Sequence, residues 1–171
     1  YKFSGKSIGG AYKNADNVIA EEDNEGEEEE IDYSTAMDVS SAEDLSEALS
    51  LGEKLIRVIA DFELDRTFFI TYNTIIFSDE AHTLTRAADF GGDIFVVGED
   101  ENGTVCEDTV VFQLGRDDSI TNDLLVIDGN KENMTATVTG TVIFALSNAE
   151  IKLYDNLTVQ NCFKSGNEKT Y

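Results

Sequence analysis

The sequence LIRVIADFEL, residues 55–64, carries an apolar side chain at every even-numbered position from Ile56 to Leu64, and most of its odd-numbered positions are polar. A period of two is typical of a β-strand with one face in a core. The chain contains no proline, which cannot donate to a sheet ladder. Similar alternation predicts further strands around residues 68–76, 94–96, 110–114, 125–127, 136–146 and 151–159.

Residues 40–52, just before this stretch, follow the helical period instead. Ser40 begins a capping box with Glu43, and Gly52 supplies the usual stop signal. One apolar stripe at i, i+3 and i+4 is formed by Leu45, Ala48 and Leu49. The pattern predicts a short amphipathic helix that leads directly into the first strand.

Two short strands with similar polar endings lie 32 residues apart, LVIDGN at 125–130 and LTVQN at 157–161. Both end in a turn that carries asparagine, and a third strand, FVVG at 95–98, lies 30 residues before the first. Repeats of this length, each a few short strands and a loop, are typical of the successive coils of a β-solenoid.

The helix with its following strand, and the stretches 125–130 and 148–161, resemble right-handed parallel β-helix proteins. These are the pectin-lyase-like folds of bacterial surfaces, and the resemblance covers residues 40–163. It implies an all-β fold: a right-handed parallel β-helix (β-solenoid) with a short N-terminal capping helix. The stack often continues further in that family, which implies that this chain lacks its C-terminal coils. The alternative is an antiparallel β-sandwich, which also has short alternating strands and glycine turns.

The sequence divides into an acidic leader and the β-solenoid module. The leader, residues 1–39, is predicted to be a linker or an edge segment. The module is predicted over residues 40–171, with its coils over 55–163. The leader contains a run of four acids that repel one another, and these are candidate binding residues for a basic partner: Glu27, Glu28, Glu29 and Glu30.

The charge balance restricts the partners. Thirty-five acids against twelve bases give a formal net charge of −23. Such a surface repels the phosphates of nucleic acids and anionic membranes, so we expect no nucleic-acid partner and no membrane insertion. Basic proteins and divalent cations remain suitable partners.

No residue pattern indicates catalysis. His82 is the only histidine, whereas a zinc site needs three or four ligands, and no nucleophile elbow surrounds any serine. His82 is therefore predicted to be a surface or turn residue, and the chain is not expected to be an enzyme. Carboxylates considered for acid–base work, but interpreted as turn caps, are Asp93, Asp123, Asp128 and Asp155. The arginines considered beside them, Arg66, Arg86 and Arg116, are scattered along the chain.

No cofactor is expected, although the many acids are compatible with calcium. The two cysteines, Cys106 and Cys162, form no metal-binding motif. We interpret them as two unpaired buried thiols, with a single bridge as the alternative.

Two charged loops between strands are the remaining candidate binding sites, because loops on a rigid scaffold commonly carry function. Their candidate residues are Glu99, Asp100, Glu101, Asp117 and Asp118. By resemblance, the chain is an extracellular, non-catalytic module of a bacterial surface protein. It would be adhesin-like and bind a host protein or glycoprotein, for example an immunoglobulin. The alternatives are a carbohydrate-active enzyme of the polysaccharide-lyase kind and a purely structural stalk.

Overall fold

A computed structural model describes residues 31–117 and 124–163 of the chain. The chain divides into two units, residues 1–31 and 32–171, and the described residues from Asp32 onward belong to the second. Helix α1 spans Ala42–Leu51. Within the described ranges the strands are β1 Met37–Val39, β2 Leu55–Val58, β3 Phe62–Leu64, β4 Phe68–Ile70, β5 Thr74–Phe77, β6 His82–Arg86, β7 Phe95–Val97, β8 Val110–Leu114, β9 Leu125–Asp128, β10 Ile143–Ala145, β11 Ala149–Leu153 and β12 Leu157–Gln160.

These strands form three sheets, and every ladder between them is parallel. Sheet A has the order β1-β2-β5-β8-β11, sheet B the order β3-β6-β9-β12, and sheet C the order β4-β7-β10. From β2 onward, successive strands enter sheets A, B and C in turn, so each strand pairs with the strand three places later. Parallel neighbours need a long crossover, and the two intervening strands provide it.

The sequence-based fold class, an all-β right-handed parallel β-helix or β-solenoid, is wrong. The three parallel-only sheets are combined with helix α1, which connects the parallel neighbours β1 and β2 in a βαβ arrangement. The result is α/β-like rather than a closed all-β solenoid. The antiparallel sandwich is wrong as well, because the described strands form only parallel ladders. Alternation identifies a strand with one buried face, but it contains no information about strand direction or sheet closure.

Inward-facing side chains from the three sheets and from α1 form one apolar core. A row of aromatic rings crosses it: Phe95 lies 5.9 Å from Phe68 and 5.2 Å from Phe112, measured between ring centroids. All three phenylalanines are buried. Helix α1 contributes a buried face to the same core, made of Ala42, Leu45, Ala48 and Leu49.

The helix predicted over residues 40–52 has Ser41, not Ser40, as its N-cap, with the Asp44 backbone N–H donating to the Ser41 hydroxyl at 3.1 Å. Ser40 instead donates its backbone N–H and its hydroxyl to the Asp44 carboxylate, at 2.9 and 2.8 Å. Gly52 ends the helix in the left-handed conformation, with φ of 82°. The cap is thus shifted by one residue, and Asp44 takes the place predicted for Glu43.

We expect Asp44→Asn to lower the stability of the protein at neutral pH and to make that stability less sensitive to acid. The hydrogen bonds from Ser40 hold the pKa of Asp44 below its ordinary value of 3.8, so the folded state binds this proton more weakly than the unfolded chain does. The carboxylate therefore stabilises the fold fully above the ordinary pKa, and this stabilisation is lost as the pH falls through the lower folded value. Urea unfolding across an acidic pH series measures the difference.

The matched control is Glu47→Gln, which removes an exposed carboxylate from the same helix. The gap between the original protein and Asp44→Asn should close in acid, whereas the control should keep the original pH profile. An Asp44→Asn protein with an unchanged profile would contradict the capping role of this carboxylate.

The predicted strand over residues 136–146 is wrong for most of its length, because only β10 is a strand. The preceding residues pack instead along the β6–β7 connection, where Thr135 and Ala136 donate to the Ala88 carbonyl and Gly140 donates to the Gly91 carbonyl. This close approach needs glycine: a Cβ at Gly140 would overlap the backbone nitrogen of Asp93.

The 32-residue spacing corresponds to a direct strand pair, since Leu157 of β12 lies opposite Leu125 of β9. The 30-residue spacing does not. Phe95 belongs to sheet C, where it pairs with Phe68 and Ile143. The other neighbour of β9 is β6, a strand that the alternation failed to reveal.

Candidate functional site

A groove of about 370 Å³ lies between two connections at the junction of sheets C and A. One wall is the short β4–β5 turn, and the other is the end of the long β7–β8 loop. The residues that line the groove are Lys54, Thr71, Tyr72, Asn73, Cys106, Glu107, Asp108, Thr109 and Val110. Burial against these walls raises the pKa of Tyr72.

The β7–β8 loop begins with a turn at residues 98–106 that closes on itself. The backbone N–H of Cys106 donates to the Gly98 carbonyl at 2.8 Å, and an isolated antiparallel bridge joins Glu99 to Val105. The turn tip, residues 101–104, is exposed throughout. Although it has only one bridge, the segment therefore has the hydrogen bonding of a small hairpin.

Asp100 holds the tip of this turn together. Its carboxylate accepts from the backbone N–H groups of Asn102 and Thr104, at 2.9 and 2.8 Å. These bonds, the one from Thr104 above all, hold the pKa of Asp100 below its ordinary range. The sequence suggested Asp100 as a binding residue, whereas its carboxylate is already engaged by the turn.

Asn148 fixes the base of the turn from a distant part of the chain. Its amide nitrogen donates to the carbonyls of Cys106 at 2.9 Å and Gly98 at 3.2 Å. Gly98 has φ of 100°, and the Asn148 amide occupies the space that a Cβ there would take. Two strand ends far apart in sequence thus hold the turn in one orientation.

The carboxylates that remain available to a partner lie along one side of this surface. Glu101, Glu107 and Asp108 are exposed, and Glu99 is half-buried. Lys54 is the single base among the groove-lining residues. An apolar contact is available beside the acids, because Val105 is 52% exposed.

The second predicted loop has a different role in the structure. The Tyr33 hydroxyl donates to the Asp117 carboxylate, and the Arg116 guanidinium lies 4.4 Å from the centre of the Tyr33 ring. Burial raises the pKa of Tyr33 to about 12. Arg116 also pairs with Asp79, which receives Arg57 at 3.1 Å. Asp117 thus helps to attach the segment before β1 to the sheets.

Glu27, Glu28, Glu29, Glu30 and Asp118 lie outside the described residues, as does Asp123. The other carboxylates considered for catalysis form separate structural contacts. Asp93 accepts from the backbone and the hydroxyl of Thr141, at 2.6 and 3.0 Å. Asp128 accepts from Gln160 at 2.9 Å and from Asn161 at 2.7 Å. Asp155 is exposed.

His82 begins β6 and is half-buried, with its Nδ1 3.2 Å from the Asp61 carboxylate. Arg66 is paired with Asp65 and Glu43 at 2.7 Å each. Cys106 and Cys162 are free and half-buried. Within residues 31–117 and 124–163, no three His, Cys, Asp or Glu side chains converge as a metal site would require.

Sequence reasoning found the acidic turn, but it missed the groove beside it and the residue that anchors it. The groove combines positions near residues 54, 72 and 107, which no local pattern connects. The only signal for Asn148 was its place in the polar turn between two strands. Among the described residues, no helix has the length and apolar character needed to cross a membrane. Comparisons with protein-family models, curated proteins and solved structures gave no match.

Proposed function

We propose that this chain is a non-catalytic binding module on the outside of a bacterial cell, and that it recognises a host protein or glycoprotein. The binding surface is the turn at 98–106 together with the adjoining groove. The partner offers a segment with exposed lysine or arginine, and a secreted immunoglobulin is the first molecule to test.

The observation that carries this proposal is the preorganised turn. Asp100 bonds its tip internally, and Asn148 bonds its base to a strand end on another part of the fold. A loop already held in one conformation loses little conformational entropy on binding. Such construction is typical of recognition surfaces on rigid scaffolds.

The charges of this surface determine the kind of partner. Glu101, Glu107 and Asp108 are exposed around a groove with one lysine, on a chain whose formal net charge is −23. An acidic surface of this kind accelerates association with basic partners, and the effect weakens as salt increases. Val105 adds an apolar contact at the centre of the acids.

The test measures binding of the purified chain to immobilised secretory immunoglobulin, and to a panel of host glycoproteins, by surface plasmon resonance. We expect Glu101→Gln with Glu107→Gln to weaken binding about tenfold at low salt, chiefly through slower association. We also expect Asn148→Ala to weaken binding without changing any charge, because it releases the base of the turn.

The matched control is Glu63→Gln with Glu80→Gln, which removes two exposed carboxylates elsewhere on the surface. Equal losses in both double variants would reduce the effect to net charge and overturn the proposed site. Loss of binding only when residues 1–30 are removed would move the site to the acidic leader. Turnover of uronic-acid polymers with calcium would replace the proposal with an enzyme.

A further inference from the structure

The two ends of the sheet stack differ. At one end, helix α1 packs against β1, β3 and β4. At the other end, the sheets finish on β11, β12 and β10, and no strand among the described residues pairs with their outer edges. An unpaired edge is a template for pairing with another chain.

Apolar side chains are exposed along this open end. Leu153 stacks in register on the fully buried Leu114 but is itself 56% exposed. Val159 stacks in the same way on the fully buried Ile127 and is 43% exposed. The inward-facing rows of the last strands therefore extend the core pattern without the cover that the preceding strands have.

The longest of these edge strands, β11, is complementary to itself. Its sequence is AEIKL, residues 149–153, with Ile151 at the centre. If two copies pair antiparallel about Ile151, Glu150 of each lies opposite Lys152 of the other. Within one chain these two charges are 3.8 Å apart and about half exposed, so both are available to a neighbour.

We infer that a second copy of this chain covers the open end, in a two-fold dimer that joins the two β11 strands antiparallel about Ile151. A two-fold axis makes the interface isologous, as a self-complementary strand requires. The dimer pairs the free ladder groups of β11, opposes two Glu150–Lys152 pairs, and buries Leu153.

Ionic strength has an opposite effect on the two charge contributions. The net charge of −23 makes two copies repel each other, and salt screens this repulsion. Salt also weakens the two local pairs. Because the overall repulsion involves many more charges, we expect the dimer to strengthen as salt is raised.

Sedimentation equilibrium of the full chain, over a concentration series at low and high salt, tests the inference. The original chain should dimerise, and Lys152→Glu should weaken the dimer at least about tenfold, because two attractive pairs become repulsive. Exchanging the charges, with Glu150→Lys and Lys152→Glu together, should restore it. Circular dichroism checks that each variant is folded.

The control is Lys54→Glu, which makes the same change in net charge just before β2, three strands away in sheet A. It should dimerise like the original chain. An original chain that remains monomeric at every concentration and salt would overturn the inference, as would an edge covered by another segment of the same chain. A charge exchange that fails to restore the dimer would overturn the proposed register.

Discussion

Replacing Phe112 with alanine is expected to lower the free energy of unfolding by about 3–5 kcal/mol. Phe112 is fully buried in β8 and is one end of the aromatic row through the core, with Phe95 as its neighbour at 5.2 Å. Both adjacent strands of sheet A and the inward faces of the other sheets enclose its ring, so the cavity cannot collapse without displacing several strands. The chain has no tryptophan, so far-UV circular dichroism in a urea titration is the suitable measurement.

The matched control is Phe69→Ala. Phe69 lies in β4 beside the buried Phe68, but it is only half-buried and stands outside the core cluster. The same substitution there should cost less than half as much, because part of the ring is already in water. Equal losses for the two variants would show that the inward faces of the three sheets do not form the core of the domain.

The strands that sequence could predict are those whose side chains are sorted by burial alone. β2 and β8 alternate clearly, and the structure places both of them in sheet A. β6 could not be found in this way, because its sequence, HTLTR, has a single apolar residue. Its last position, Arg86, faces the interior with a charged side chain and breaks the pattern.

Strand pairing had no comparable local signal. Val110 pairs with Ala149, and Thr74 pairs with Phe112, across 38 or 39 residues whose length varies with the loops between them. The βαβ connection through α1 likewise depends on strand direction, which alternation does not encode. The error in fold class therefore concerned how the elements are joined, and the alternation itself had identified β2 and β8 correctly.

The candidate site divides in the same manner. Asn102-Gly103 and the neighbouring acids mark a polar turn from sequence alone. The anchoring of that turn depends on Asn148, which lies 50 residues from Gly98 and contacts it only in the folded chain. The groove also needs three separate segments. Local composition can therefore predict a turn, whereas its rigidity and its surroundings depend on tertiary structure.

Arg86 has the least expected environment of any charged residue that the structure describes. It is 2% exposed, and burial lowers its pKa. Its guanidinium donates to three backbone carbonyls: Gly92 at 2.5 Å, Thr141 at 3.1 Å and Phe90 at 3.3 Å. These acceptors lie on the β6–β7 connection and on the segment before β10, so a single side chain joins two stretches that are otherwise irregular.

Arg86→Met is expected to lower the free energy of unfolding by about 2–4 kcal/mol. Removing a buried charge by itself is favourable, and replacing buried ion pairs with apolar residues is often neutral for that reason. Here the acceptors are backbone carbonyls, which no substitution at Arg86 removes, and each one left without a donor costs about 1–3 kcal/mol. The lost acceptor contacts therefore outweigh the recovered desolvation.

Two further variants separate the charge of Arg86 from the shape of its side chain. Arg86→Lys should destabilise the protein at least as much as Arg86→Met, because an ammonium keeps the desolvation cost but lacks the planar fork that reaches both segments. Arg57→Met, which removes a partly exposed arginine paired with Asp38 and Asp79, should cost only about 1 kcal/mol or less. Urea unfolding of the three variants gives the order directly. A neutral Arg86→Met, or a lysine that substitutes without loss, would mean that the two segments are held together by packing and not by this guanidinium.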